Sequence, residues 1–186
     1  MTIGIDIDDT LTETFDYILP YVAEYFHVDA DDLRKRNISY NNLPQEWKRE
    51  ELEFCKTYFD HIVADTPFKP DSAWALRKLH EDGHRIVIIT ARTTAFYTDP
   101  YKTTREELDK GGIVYDKLLC TMDKVTACAD EQVSVFIDDT IANCEAVSKL
   151  GIPVIVMNSN ANKASETKLD RVSNWTEVLA KIEKMA

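Results

Sequence analysis

Ile3-Gly4-Ile5-Asp6-Ile7-Asp8-Asp9-Thr10 is the stretch that decides how this chain is read. Its first three residues form a short apolar run that predicts a buried strand, and the next four positions carry three carboxylates. Two unit charges about 4 Å apart repel by roughly 4 kcal/mol at an effective dielectric constant near 20, so acids crowded at a strand end need a cation or a proton to coexist. Side chains alternate along a strand, which points Asp6 and Asp8 the same way over its carboxyl end. That end of an open parallel sheet is where ligands bind. An acidic turn that merely solvates a strand end is the plain alternative, and a second acidic pair downstream weighs against it.

Working outward, residues 13–66 show no convincing strand. Phe15, Ile18, Leu19, Val22 and Phe26 recur at helical spacing, as do Trp47, Leu52, Cys55 and Phe59, which predicts two or three helices broken between Asn37 and Pro44. Pro20 either kinks the first of them or forces it to begin after Glu13. Beyond Pro67 helix and strand alternate. Asp71 is expected to cap a helix through His80, stopped by Gly83, and Arg85 to Thr90 is a buried β-branched strand. Thr103 and Thr104, with Glu106 and Glu107, offer capping boxes for a helix ending at Gly111-Gly112. A strand over 117–121, a helix over 124–130 and a strand over 133–137 follow, the last ending in Asp138-Asp139. A helix over 141–150 closed by Gly151, a strand over 152–157, a polar loop over 158–168 and a terminal helix capped by Asn174 and Glu177 complete the chain. These elements predict an α/β fold: a Rossmann-like, parallel five-stranded sheet with helices on both faces. Residues 1–12 and 67–186 form its core, with 13–66 as a small helical cap inserted after strand one.

The totals limit the partners. With 33 acidic against 22 basic side chains among 186 residues, the formal net charge is -11. A field of that sign repels nucleic-acid polymers and anionic membranes, so a phosphate-bearing partner has to be met by a local positive site, with a metal. No run reaches the ~18 apolar residues of a membrane span and the N-terminus lacks a signal-peptide pattern, which predicts a cytoplasmic protein. Cys55, Cys120, Cys128 and Cys144 contain no C-x-x-C pair and fall on apolar stretches, as reduced thiols do.

In a parallel sheet whatever follows each strand gathers at one edge. There the chain delivers Asp6 and Asp8, then Thr90 and Arg92, then Lys124, then Asp138 and Asp139. Carboxylate oxygens with few nitrogen or sulfur ligands favour a hard cation, and Mg²⁺ takes one or two carboxylates while keeping water and substrate phosphate. A metal-bound carboxylate can attack phosphorus, and a second acid two residues on can protonate the leaving alcohol and then activate water.

Asp6-x-Asp8-x-Thr10 after a strand, Thr90 at the end of the next, Lys124, and Asp138-Asp139 after a later strand resemble the haloacid dehalogenase-like (HAD) hydrolase superfamily over about the whole chain. Within it, Asp123-Lys124 a dozen residues before Phe136-Ile137-Asp138-Asp139, with a short helical cap, is similar to the 5'(3')-deoxyribonucleotidase group and its bacterial relatives. The resemblance implies a phosphatase with Asp6 as nucleophile and Asp8 as general acid/base. It implies Mg²⁺ held by Asp6, the Asp8 backbone carbonyl and the acidic pair, through Asp138 or Asp139, and a phosphoryl group bound by Thr90 and Lys124, with Ala91 and Arg92 beside them. Members of that group usually carry Gly-Val or a similar pair where this chain has Asp9-Thr10, a hydroxyl residue at Ala91 and often Arg at Thr140. The implied substrate is a small phosphate monoester, first a (deoxy)nucleoside monophosphate and then a sugar phosphate.

Rival readings have features of their own. His80-Glu81-Asp82-Gly83-His84 matches H-E-x-x-H, but Gly83 ends the helix that a zinc site needs. Tyr17, Tyr21 and Tyr25 lie four apart, a spacing that favours packing over base stacking, and Phe15, Tyr40 and Trp47 are further base-contact candidates. A response-regulator domain also uses acids, a Thr and a Lys around Mg²⁺, but its acidic pair lies on the first strand and it has no helical insertion there.

Overall fold

A computed structural model describes residues 1–35 and 44–185. Its strands are β1 (Thr2–Ile5), β2 (Arg85–Thr90), β3 (Lys117–Cys120), β4 (Val135–Asp138), β5 (Val154–Met157) and β6 (Arg171–Val172). All pair in parallel, in the order β3-β2-β1-β4-β5-β6. The expected fold class is present, with six strands among the described residues rather than five. The extra strand, β6, is two residues long, too short to leave a periodic signal.

Alternation along the strands divides the core between the two faces of the sheet. Ile3, Ile5, Ile86, Ile88, Val135 and Ile137 pack against α4 (Ser72–Glu81), α5 (Pro100–Lys110) and α8 (Trp175–Ile182). Val87, Ile89, Phe136 and Val156 pack on the other face against α6 (Lys124–Asp130) and α7 (Ile141–Ser148). Gly4 sits on this second face, where a Cβ would lie 3.1 Å from the Phe136 ring, so its missing side chain admits that ring.

Among the described residues, three helices lie between β1 and α4: α1 (Thr14–Tyr25), α2 (Ala30–Lys35) and α3 (Glu51–Asp65). α1 begins at Thr14 and runs through Pro20. The predicted break is described only at Pro44. The chain leaves and re-enters the sheet region side by side: Thr12 bridges Phe68, the Glu13 N–H donates to the Pro67 carbonyl at 2.9 Å, and the Lys69 N–H donates to the Leu11 carbonyl at 2.7 Å. The segments at residues 11–13 and 67–69 thus form a narrow neck between the sheet and helices α1 and α3.

Two predicted helix caps are corrected. Asp71 precedes α4 but has φ 63° and makes no capping bond. α5 begins at Pro100, with the Asp99 carboxylate accepting from the Lys102 N–H, so Thr103 and Thr104 lie inside the helix. Proline is preorganised for the first helical position, and aspartate caps as well as threonine. Asn174 caps α8 as expected, accepting from the Glu177 N–H at 2.9 Å.

Candidate active site

Strand order reverses between β1 and β4, and the carboxyl ends of strands at such a switch point open a crevice. Asp6 follows β1 and Asp138 ends β4, and the Asp6 N–H donates to the Ile137 carbonyl at 2.9 Å. Carboxylate oxygens of Asp6, Asp138 and Asp139 lie within 4.8 Å of one another, all three residues buried. The Lys124 ammonium, at the start of α6, reaches between them and donates to Asp6 Oδ1 at 2.6 Å and Asp138 Oδ2 at 2.7 Å. Three carboxylates against one ammonium leave two negative charges in a buried space. An all-oxygen donor set with that surplus fits a hard divalent cation.

The electrostatics carry the mark of that crowding. Burial, with Asp138 and Asp8 adding to it, pushes the Asp6 carboxyl up to about 7 against the pull of Lys124. Burial and the neighbouring carboxylates also raise Asp139 well above the usual range. Lys124 moves up despite its burial, because Asp138 and Asp6 hold its charge. Within the acidic pair the two residues differ. Asp138 accepts from Lys124, from the Thr140 N–H at 2.7 Å and from Asn143 Nδ2 at 3.0 Å. Among the described residues the Asp139 carboxylate has only the hydroxyls of Ser159 and Thr140, at 3.2 and 3.3 Å, and it is Asp139 that lines the cavity.

The acidic loop is wound tightly by its backbone. The N–H groups of Thr10, Leu11 and Thr12 all donate to the Ile7 carbonyl, and Asp9 adopts φ 58° in the left-handed region. Asp8 receives the Arg92 guanidinium, Nε to Oδ2 at 3.0 Å and Nη2 to Oδ1 at 2.8 Å, and the Thr14 hydroxyl donates to Oδ1 at 2.9 Å. Burial would raise the Asp8 carboxyl, but the charge and hydrogen bonds of Arg92, with Thr14, hold it below the ordinary range. From behind, the Trp175 indole N–H donates to the Thr10 carbonyl at 3.1 Å.

A cavity of about 300 Å³ opens over these groups, with Asp6, Asp8, Lys124 and Asp139 on its floor. Its roof and walls are largely apolar, with Phe15 and Ile18 from α1, Phe59, Ile62 and Val63 from α3, and Phe96, Tyr97 and Met122 from loops after the strands, and with Arg92, Thr14, Thr140 and Asn143 among them. Such a site suits a small ligand with one charged end and one apolar end.

Residues 1–185 match the family described as 5' nucleotidase, deoxy (pyrimidine), cytosolic type C protein. The chain belongs to that family. It is accordingly a phosphoric monoester hydrolase of the nucleotidase type within the HAD superfamily. A protein of Clostridium acetobutylicum named as a nucleotidase is 26% identical over 188 residues, spanning all of this chain and 95% of the relative. In fold, the chain is similar to a predicted phosphatase of Clostridium acetobutylicum, with a TM-score of 0.70, 17% identity and 98% coverage of both chains. It is also similar to a haloacid dehalogenase-like hydrolase of Streptococcus pneumoniae, with a TM-score of 0.65, 16% identity and 97% coverage of both.

Against this nucleotidase family, the sequence expectations fall into place unevenly. Asp6, Asp8, Lys124 and Asp139 share the cavity floor, and Ala91 and Arg92 also line it. Thr90 ends β2 fully buried, and its hydroxyl has no partner among the described residues. The tyrosine stripe packs: Tyr21 lies 5.6 Å from Tyr58 and Tyr25 lies 5.4 Å from Phe54, ring centre to ring centre. Trp47 stacks on Phe26 at 4.4 Å, Phe15 reaches the cavity, and Tyr40 lies outside the described residues. His80 faces Asp116 and His84 faces the N-terminal amine, so the two histidines do not converge. Phe59, Phe96 and Tyr97 escaped the sequence reading as site residues, although Phe59 already stood in its helical series. Phe96 and Tyr97 lie only four and five residues beyond Arg92, a proximity that could have marked them.

Proposed function

We propose that this family member is a Mg²⁺-dependent phosphatase of small monoesters, with a nucleoside monophosphate as its first substrate and Asp6 as its nucleophile. The observation that carries the reading is the join of two surfaces in one cavity: an acidic floor gripped by Lys124, and an apolar, aromatic roof. The floor suits a phosphoryl group and the roof suits a flat leaving group, which favours a nucleotide over a polyhydroxylated sugar phosphate. A sugar phosphate or another small ester remains the alternative substrate.

Asp6, the Asp8 backbone carbonyl, Asp138 and Asp139 would hold Mg²⁺, which supplies charge neutralisation for the transferring phosphoryl group. The Asp6 carboxylate attacks phosphorus and the bond to the leaving oxygen breaks, while Asp8, which takes up a proton from solvent when the anionic substrate binds beside it, gives that oxygen its proton. Asp8 then takes a proton from water, whose oxygen displaces Asp6 and frees phosphate. Lys124 holds Asp6 in place and offsets charge on the phosphoryl oxygens, with Thr90 and Ala91 as further contacts. Residues 13–66 act as the cap that excludes water and selects the leaving group. A reducing, cytoplasmic setting accords with the four free cysteines.

The test is phosphate release from a panel of nucleoside monophosphates and sugar phosphates, with and without Mg²⁺. Mg²⁺-dependent release, greatest for a nucleotide and lost in Asp6→Asn, is the expected result. Release that persists in Asp6→Asn, or that ignores Mg²⁺, overturns the mechanism, and a sugar phosphate as best substrate overturns the nucleotide assignment.

A further inference from the structure

Arg92 sits where a phosphate ligand would be sought, yet its donors point elsewhere. Nε and one Nη2 hydrogen go to Asp8. Nη1 donates to Glu107 Oε2, and Nη2 makes a second contact to Glu107 Oε1 at 3.4 Å. The Arg92 and Glu107 side chains are each 2% exposed, whereas Asp8 is 35% exposed toward the cavity. Tyr97 covers the guanidinium from another side, with its ring centre 5.8 Å from Cζ. The result is a relay from a core helix to the cavity: Glu107 on α5 orients Arg92, and Arg92 grips Asp8 with a two-pronged fork.

Burying a charged trio is costly, and replacing such groups with apolar ones is often neutral or stabilising. A trio kept at the edge of a reaction centre therefore calls for a role there. A fork of two parallel N–H···O bonds fixes the plane of a carboxylate as well as its position. Thr14 donates to Asp8 Oδ1 as well, and its hydroxyl lies 2.7 Å from that of Thr12, which donates to the Ile7 carbonyl at 3.1 Å. Asp8 is thereby held by two partners while its side chain stays 35% exposed in the cavity.

We propose that Arg92 and Glu107 are positioning residues, which hold the Asp8 carboxylate in line with the leaving oxygen, and that Arg92 is not a phosphate ligand. The proposal rests on the phosphatase reading above, with Asp8 as proton donor. It predicts a dependence on the leaving group that a purely structural role does not. An alkyl leaving group needs Asp8's proton as its bond to phosphorus breaks, and a p-nitrophenolate does not.

The experiment compares kcat/KM for the best nucleoside monophosphate and for p-nitrophenyl phosphate in Glu107→Gln, Arg92→Lys, the double variant Arg92→Gln/Glu107→Gln, and Asp8→Asn. This constant reports the steps up to release of the alcohol, and the ratio of two substrates on one sample is independent of how much of that sample is folded. In all four the nucleotide to p-nitrophenyl ratio is expected to fall by roughly tenfold or more, furthest in Asp8→Asn. Inhibition by inorganic phosphate should stay within about threefold of wild type in Glu107→Gln and Arg92→Lys. A steep Asp8→Asn ratio with unchanged ratios in the Arg92 and Glu107 variants overturns the positioning role alone. Phosphate inhibition weakened tenfold or more in Arg92→Lys overturns it in favour of a direct phosphate contact. An unchanged ratio in Asp8→Asn removes the proton-donor reading and this inference with it.

Discussion

At the scale of single residues, Asp9 shows how a departure from a family habit is accommodated. Its φ of 58° is one that glycine adopts without strain, and aspartate and asparagine tolerate it better than other residues. The side chain has a task, since Asp9 Oδ1 accepts the Phe15 N–H at 2.9 Å at the start of α1, where Glu13 makes no capping bond. Burial, with Asp8 nearby, pushes this carboxyl up to about 7. A raised pKa means that the folded state holds the proton more tightly than the unfolded one, so stability is lost as pH climbs from about 4 to about 7. Asp9→Asn keeps the acceptor and the backbone preference without the charge. In thermal melts without Mg²⁺ its gain over wild type should grow across that window to a few degrees in Tm above pH 7, and a gain independent of pH would refute the assignment. The acids of the site were legible in the sequence because they cluster within a few positions of a strand end. Glu107 was not, because its meaning lies in a contact with Arg92, and in a polar helix it looks like any capping or solvated glutamate.

Elements were legible where one local signal governed them and obscure where a contact across the fold did. The helix over 124–130 and the strand over 85–90 occur with the predicted bounds. α5 starts earlier than its threonines suggest, and β6 exists only because β5 offers it an edge. The neck is another case. Gly111 follows α5 with an ordinary φ of -76°, so a turn does not explain it. A Cβ there would lie 2.2 Å from the Phe68 ring, beside the bridge to Thr12. Gly111→Ala should therefore cost about 1–3 kcal/mol as the ring is displaced, seen as a Tm lower by roughly 2–10 °C. Gly111→Ala/Phe68→Leu should recover part of that loss. An unchanged melt for the single variant would show that the neck yields without cost.

For the whole molecule, sequence supplied the alternation of strands and helices but not their order, which depends on which strands pair. That order brings β1 and β4 side by side and so joins residue 6 to residues 138 and 139. The surplus charge this creates gives a molecule-wide prediction. Asp6, up at about 7, and Asp139, also raised, must ionise before they can bind a divalent cation. Added Mg²⁺ should therefore raise Tm markedly at pH 8 and little at pH 5.5, and an equal shift at both would place the ion elsewhere. One long-range contact has a further consequence. Trp175 and Thr10 are 165 residues apart, yet the indole holds the loop that follows Asp6 and Asp8. A chain still emerging from the ribosome has the acidic loop, β1 and β4 well before Trp175 is made. The loop that carries Asp8 and Asp9 then lacks its rear hydrogen bond, and it gains that support only when α8 docks.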